Sequence, residues 1–202
     1  MGKGLLFVVS GPSGAGKGTI CKRLLDAIDI ELSISMTTRK PRPGEIEGVN
    51  YYFVSQEEFD KIQSENGLLE HAHVYGNFYG TPKKMVMDKL EQGRDVILEI
   101  DIQGALKIRE TYPEGIFVFI LPPSMKELRK RITGRGSETE AAINMRLGEA
   151  LKEVSYIDKY DYCVVNNEVE EAVERVACIM KAEHSRVSQD IYQIIERYKE
   201  EI

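Results

Sequence analysis

The chain has few cysteines, no long apolar run and no excess of positive charge, and each shortage excludes a class of protein. Its 202 residues contain three scattered cysteines and no Cys-x-x-Cys pair, at Cys21, Cys163 and Cys178. Such a set is typical of a reducing compartment, so we expect buried, unpaired thiols. No segment approaches the roughly 18 apolar residues of a membrane-spanning helix. With no signal-peptide pattern at the N-terminus, we expect a cytoplasmic protein without a membrane partner.

The charge balance argues against one kind of partner. Lysine and arginine number 27 and aspartate and glutamate 33, which gives a net charge of −6. Because proteins bind nucleic-acid polymers by neutralising phosphates, this balance argues against such a polymer as partner. The net charge does not exclude a local group of cations around one small ligand. The 42% hydrophobic content is enough for a core without disulfides or structural metals, in a single domain.

Continuous apolar runs alternate with helical patterns along most of the chain. The runs lie at residues 5–9, 96–100 (interrupted only by Glu99), 116–121 and 162–165. Runs without polar alternation indicate strands buried on both faces, as in a parallel sheet. We therefore predict an α/β fold with three layers and a parallel sheet at its core.

Two stretches differ from this core. Residues 33–81 are rich in aromatic residues and turn signals, which predicts a small β-rich lobe. Residues 126–150 look like a helical lid. The core of a single domain is then expected at about 1–32, 82–125 and 151–202.

Local signals place several helix ends. Thr81 is expected to cap a helix that has Pro82 in its first turn. Ser55 and Ser124 each begin a capping box. The tail from about 169 to 199 is expected to be helical, with a break near 184–188.

The strongest motif lies between the first strand and the first helix. It matches G-x-x-x-x-G-K and consists of Gly11, Pro12, Ser13, Gly14, Ala15, Gly16, Lys17, Gly18 and Thr19. Glycines let backbone N–H groups turn inward around phosphate oxygens, and the helix N-terminus adds positive potential. Lys17 can reach the β- and γ-phosphates of ATP. The usual Ser or Thr after the lysine is Gly18, so either Thr19 approaches Mg²⁺ or phosphates and waters mainly hold the ion.

Further features narrow the reaction. We find no Asn-Lys-x-Asp, which argues against a GTPase. Arg39 and Arg42 flank Pro41 and could converge on one dianionic phosphate. Five cations lie between 126 and 135. A small chain with a phosphate loop, two insertions and these arginines is similar to nucleoside monophosphate kinases.

Longer motifs carry a more specific resemblance. In order they are TTRxPRxGE from Thr37, Y-x-F-V-S from Tyr51, a Glu before GNFYGT, L-E-I-D-x-Q-G and R-x-x-G-R-G-x-E-T-E. From about Gly4 to Asn166 the sequence resembles the guanylate kinase family. The resemblance implies transfer of the γ-phosphoryl group of ATP to GMP, and to dGMP, with Mg²⁺ and closure of a lid.

The resemblance also implies roles on the acceptor side. Arg39, Arg42, Tyr51 and Tyr79 would hold the GMP phosphate. Glu70 would accept the guanine N1–H and N2–H₂ groups, a donor pair that adenine lacks. Ser35 and Thr81 would donate hydrogen bonds to guanine O6. Asp101 would contact the GMP side of the cleft.

On the donor side the resemblance implies a catalytic set of Lys17, Arg39, Arg135 and Arg146. Arg135 and Arg146 would contact the transferring phosphoryl group, with Gly134 and Gly136 absorbing the lid movement. Arg131 and Asn166 would lie on the ATP side, Asn166 beside the adenine. Glu99 would serve the metal through water.

Two alternatives remain. Some guanylate-kinase-like domains are protein-binding modules, usually with a degraded phosphate loop, and a related kinase could use another acceptor. The intact Gly16-Lys17 pair argues against the first, and Glu70 with Ser35 and Thr81 argues against the second. The sequence leaves both a monomer and a homodimer open.

Overall fold

The computed structural model describes residues 2–74, 76–133, 139–187 and 190–202. Its strands are Leu6–Ser10 (β1), Glu31–Leu32 (β2), Met36–Thr37 (β3), Tyr52–Phe53 (β4), Leu68–Val74 (β5), Asn77–Pro82 (β6), Val96–Glu99 (β7), Ile116–Leu121 (β8) and Tyr162–Val165 (β9). Its α-helices are Lys17–Ala27 (α1), Gln56–Ser64 (α2), Lys83–Glu91 (α3), Ile102–Thr111 (α4), Met125–Thr133 (α5), Glu140–Val154 (α6), Val169–His184 (α7) and Asp190–Glu200 (α8).

The central sheet is parallel and has β1 at its centre. Its strand order is β2-β7-β1-β8-β9, and Val8 of β1 aligns with Leu98 on one side and Phe117 on the other. All five residues of β1 are buried, which is why the strand shows no polar alternation. The predicted parallel core is confirmed.

Helices cover both faces of this sheet. Phe7 and Val9 of β1 face α1 and α7, where Leu24 and Val176 are fully buried. Leu6 and Val8 of β1 face α3 and α4, where Leu90 is fully buried. Successive side chains of a strand point to opposite faces, so β1 contributes to both hydrophobic layers. The arrangement is the expected three-layer fold.

A second sheet lies within the stretch that was expected to be β-rich. Its order is β4-β3-β6-β5. The β5 and β6 strands form an antiparallel hairpin, and β3 pairs with β6 antiparallel and with β4 parallel. Met36, Phe59 and Leu68 form its own small core, with Phe59 supplied by α2.

The helix-start signals have mixed outcomes. The hydroxyls of Ser55 and Ser124 accept the N–H groups of Glu58 and Glu127, both at 3.1 Å, as the capping boxes predict. The interpretation of Thr81 as a helix cap is wrong. Pro82 occupies the cap position and α3 begins one residue later. The Thr81 hydroxyl instead donates to Glu70, a buried carboxylate on the neighbouring strand.

Three further expectations concern the cysteines, the tail and the membrane. Cys21 is buried as expected, but Cys163 and Cys178 are exposed. Cys163 lies on β9, an edge strand, so the prediction of buried thiols is wrong for two of the three. The tail is helical with a break between α7 and α8, as predicted. Among the described helices, none combines the length and apolar content needed to cross a membrane.

Candidate active site

The phosphate loop connects the buried centre of the sheet to α1. Gly14 and Gly16 have φ angles of 90° and 98°, a region that side chains rarely adopt. A Cβ on Gly16 would also lie 2.2 Å from Nδ2 of Asn166. Both the backbone and the packing therefore require glycine, and the loop leaves N–H groups available for an anion.

Lys17 lies at the start of α1, folded against the loop. Its Nζ donates to the carbonyl of Gly11 at 2.5 Å and to that of Pro12 at 3.2 Å. Burial lowers the pKa of this amine, while the carboxylates of Glu99 and Glu153 act in the opposite direction. The ammonium group is thus held in a site with negative neighbours and little water, where a phosphate interacts strongly with it.

Gly18 makes room for a carboxylate from the end of β7. A Cβ at position 18 would lie 3.2 Å from Oε1 of Glu99. Loss of water around Glu99 raises its pKa, and Lys17 opposes that shift. Among the described residues, no group of three or more His, Cys, Asp or Glu side chains could hold a metal alone. The donor set fits Mg²⁺ only as an ion bound mainly by phosphates and waters, with Glu99 beside them.

On the acceptor side, the predicted phosphate-binding side chains meet around Arg39. Its Nε donates to the Tyr79 hydroxyl at 3.2 Å, and its guanidinium carbon lies 5.4 Å from the centre of the Tyr51 ring. The Tyr51 and Tyr79 rings are in edge contact at 5.9 Å. The side chain of Arg42 is exposed. The backbone N–H of Arg42 and the guanidinium group of Arg39 both donate to the Glu45 carboxylate.

Glu70 lies deep in the same lobe and is 6% exposed. Burial raises the pKa of its carboxyl to about 7, although the hydrogen bond from Thr81 lowers it. That bond is 2.8 Å long and uses the only proton of the Thr81 hydroxyl. In this structure Thr81 therefore orients Glu70, and its contact with guanine O6 stays a prediction.

Two carboxylates at the end of β7 lie between the donor and acceptor sides. Glu99 acts electrostatically on Lys17 and on Tyr51, and Asp101 acts on Lys17 and on Glu70. Asp101 also caps α4, because its Oδ1 accepts the N–H of Gly104 at 2.8 Å. Ligands of open α/β sheets bind at the carboxyl ends of the strands, which is where this group lies.

Ser35 stands just before β3 and is half-buried. Its carbonyl accepts the N–H of Tyr52 at 2.9 Å, which joins β3 to β4. The contact of its hydroxyl with a guanine stays a prediction.

Helices α5 and α6, which lie in the stretch predicted to form a lid, contact the phosphate loop and its surroundings. Arg146 on α6 donates to the Ser13 hydroxyl at 2.9 Å. Arg131 on α5 donates to the backbone carbonyl of Asn166 at 3.1 Å. The predicted residues Arg135, Gly134 and Gly136 lie outside the described part of the chain.

Asn166 directly follows β9 and contacts the phosphate loop. It is buried, and its Nδ2 donates to the carbonyl of Ala15 at 2.7 Å. The side-chain N–H is thus bonded to the phosphate loop, and a position of Asn166 beside the adenine stays a prediction. Its Oδ1 is buried without a hydrogen-bond partner in the described structure.

Sequence reasoning assigned no role to Glu45 or Glu153. Glu45 is part of the TTRxPRxGE motif, so its position beside the two arginines was a usable signal. Glu153, on the last turn of α6, acts on Lys17 and has a pKa raised by burial. Nothing in its local sequence distinguishes it from the exposed glutamates of other helices.

A glycine-rich phosphate loop on a parallel sheet, beside an arginine and tyrosine cluster, defines the class of P-loop phosphotransferases. Comparison with known proteins makes this specific. The family model for guanylate kinase matches residues 3–183. The chain belongs to the guanylate kinase family.

Similar proteins agree with this assignment. The guanylate kinase of Clostridium acetobutylicum is 61% identical over 165 residues, which cover 82% of this chain and 79% of the relative. That of Caldanaerobacter subterraneus subsp. tengcongensis is 58% identical and covers 82% and 81%. The crystal structure of guanylate kinase from Anaplasma phagocytophilum matches with a TM-score of 0.81 at 38% identity, covering 96% and 95%.

Proposed function

We propose that this protein transfers the γ-phosphoryl group of ATP to GMP, and to dGMP, giving ADP and GDP or dGDP. One observation carries the proposal beyond family membership. A Cβ on Gly18 of the donor loop would lie 3.2 Å from Oε1 of Glu99, at the end of β7. Two residues further on, Asp101 accepts the N–H of Gly104, where a Cβ would lie 2.8 Å from Oε2 of Glu70 in the acceptor lobe. The end of β7 therefore adjoins both the donor loop and the acceptor lobe.

The donor half binds the triphosphate of ATP. Loop N–H groups and the N-terminus of α1 surround the β-phosphate, and Lys17 exchanges its loop carbonyls for phosphate oxygens. Glu99, acting through water, and Thr19 would hold Mg²⁺ beside the loop. When bound, Mg²⁺ neutralises charge on the β- and γ-phosphate oxygens.

The acceptor half selects guanine and orients the acceptor phosphate. The Glu70 carboxylate accepts the N1–H and N2–H₂ donors of guanine, with Ser35 near O6. Arg39, Arg42 and the two tyrosines bind the phosphate. The attacking group is an ionised phosphate oxygen, so the reaction needs orientation and charge stabilisation rather than a general base.

The lid completes the site. We propose that residues 126–150 close over ATP and bring Arg135 and Arg146 to the transferring phosphoryl group, while Arg131 stays nearer the donor. Closure excludes water, which would otherwise compete as acceptor. X-ray scattering should show compaction with GMP plus a non-hydrolysable ATP analogue, and unchanged dimensions would contradict closure.

The central experiment measures ADP release with GMP, dGMP, AMP, UMP and CMP offered separately. We expect turnover with GMP and dGMP and at least about 10⁴-fold lower kcat/KM with AMP, because a site built for guanine donors leaves Glu70 unpaired with adenine. Equal rates for all five would refute the role of Glu70. No turnover with any of them would refute the phosphotransfer.

A further inference from the structure

Glu45 ends a tight turn that returns it toward the two motif arginines. The turn spans Arg42 to Glu45, has Pro43 at its second position, and is closed by a 3.0 Å hydrogen bond from the Glu45 N–H to the Arg42 carbonyl. Gly44 follows the proline with a φ of 87°. Proline followed by a glycine of positive φ is the signature of a type II turn. The Glu45 carboxylate reaches back across this turn and accepts the Arg42 N–H at 2.7 Å.

The same carboxylate binds the side chain of Arg39. Oε1 accepts from Nη2 at 2.9 Å, and Oε2 accepts from Nη1 at 3.0 Å. The two side chains are only 14% and 18% exposed. A two-point contact between guanidinium and carboxylate fixes orientation more strongly than a single bond. One carboxylate thus contacts both arginines of the predicted phosphate site.

Arg39 is fixed on its remaining sides as well. Its Nε donates to the Tyr79 hydroxyl, and Nη1 also donates to the Lys40 carbonyl at 2.8 Å. With the two bonds to Glu45, four of its five N–H donors are used within the described structure. Arg39 therefore meets a ligand in one orientation, with a single N–H and its positive charge available.

We propose that Glu45 is a positioning residue for the acceptor phosphate of a nucleoside monophosphate. It orients the Arg39 guanidinium and fixes the Arg42 backbone, so that the dianionic phosphate meets both arginines in a preformed arrangement. A carboxylate repels a phosphate, so the benefit of Glu45 passes through the arginines. Preformed sites bind more tightly because the ligand need not order them. The proposal rests on GMP being the acceptor.

Isothermal calorimetry with GMP and with guanosine tests this role. Glu45→Gln should weaken GMP binding about tenfold, or about 1.4 kcal/mol, and leave guanosine binding unchanged, because guanosine has no phosphate. Glu45→Asp keeps the charge but is one methylene shorter, so a smaller loss is expected. In ADP-release assays the KM for GMP should rise, while the KM for ATP stays constant and kcat changes little.

Glu47→Gln is the matched control. Glu47 also accepts a backbone N–H, that of Phe53 at 2.9 Å, but in the described structure it contacts neither arginine. Its substitution should leave GMP binding unchanged.

Three results would overturn the proposal. Unchanged GMP affinity in Glu45→Gln would show that Arg39 needs no orientation. Tighter GMP binding would show that the carboxylate competes with the phosphate. Equal losses for GMP and guanosine would show a structural role in the lobe.

Should Glu45→Gln fail to fold by circular dichroism, Glu45→Asp alone must still lose affinity for GMP and keep its affinity for guanosine. Failure of the unsubstituted protein to bind GMP would refute the proposed function itself.

Discussion

The donor loop and the acceptor lobe are proposed to bind the same chemical group, phosphate, with different parts of the protein. The donor site consists of nine consecutive residues at the end of a fully buried strand, and it relies on backbone N–H groups and one lysine. The acceptor site consists of side chains from several segments of a small sheet, held by hydrogen bonds to one another. The first geometry depends on the local backbone and the second on tertiary contacts. Changes in the loop should therefore affect chemistry, and changes in the lobe should affect one substrate.

The largest effect is expected at Lys17. Lys17→Ala removes the loop's only side-chain cation, and kcat should fall about 10²–10³-fold, as when one group that stabilises transition-state charge is removed. The fold should remain, because burial already disfavours the charged amine. ADP-release assays measure the fall in kcat, and thermal unfolding measures the stability of the fold. Lys22→Ala, an exposed lysine on the same helix, should change neither. If Lys17→Ala lost only affinity for GMP, the result would contradict the assignment of catalysis to the loop and of GMP binding to the lobe.

Glu70→Gln should affect the other substrate. Loss of a charged acceptor facing guanine N–H groups costs about 1.5–3 kcal/mol, so the KM for GMP should rise about 10–100-fold while the KM for ATP is unchanged. Kinetics with each substrate varied in turn measure the two values. Equal increases for GMP and ATP would contradict the role given to Glu70.

Glu70 also predicts a pH dependence confined to the acceptor side. Burial raises its pKa to about 7, and only the ionised carboxylate accepts both guanine donors. GMP binding should thus release a proton and strengthen about tenfold between pH 6 and pH 8, the change in the ionised fraction. The phosphate of GMP also titrates near pH 6. Glu70→Gln is therefore the control, because its pH dependence of GMP binding comes from the phosphate and not from residue 70. Affinity that falls with rising pH would contradict the assignment.

The smallest effect is expected at Gly104. A Cβ there would lie 2.8 Å from Oε2 of Glu70, so Gly104→Ala should displace the carboxylate and raise the KM for GMP several-fold. Gly148→Ala is the control, because nothing lies within 4 Å of its added Cβ. Alanine in helix α6 should stabilise the fold by about 0.5–1 kcal/mol. Thermal unfolding and GMP kinetics measure the pair. An unchanged KM in Gly104→Ala would show that Glu70 tolerates displacement.

Much of the fold follows from local pattern. Apolar runs predicted four of the five parallel strands, and β8 and β9 match their predicted bounds. The fifth, β2, is only two residues long and was missed. The phosphate loop was predictable because its glycines and lysine are adjacent in sequence.

Contacts between distant residues were not predictable in the same way. Thr81 was assigned to a helix cap because Pro82 follows it, but its partner, Glu70, lies 11 positions away on another strand. The amide of Asn166 bonds to Ala15 across 151 positions. Since a buried donor takes whichever acceptor the fold provides, such partners depend on tertiary structure.

The closeness of Gly18 to Glu99 links two positions far apart in the chain. A Cβ at 18 would lie 3.2 Å from Oε1 of Glu99, so that carboxylate, at the end of an exposed side chain, would have to move by a few tenths of an ångström. In design terms, a serine or threonine introduced at 18 would place its hydroxyl beside a carboxylate from the end of β7, so the two positions should be varied together when a metal-binding hydroxyl is restored to the loop.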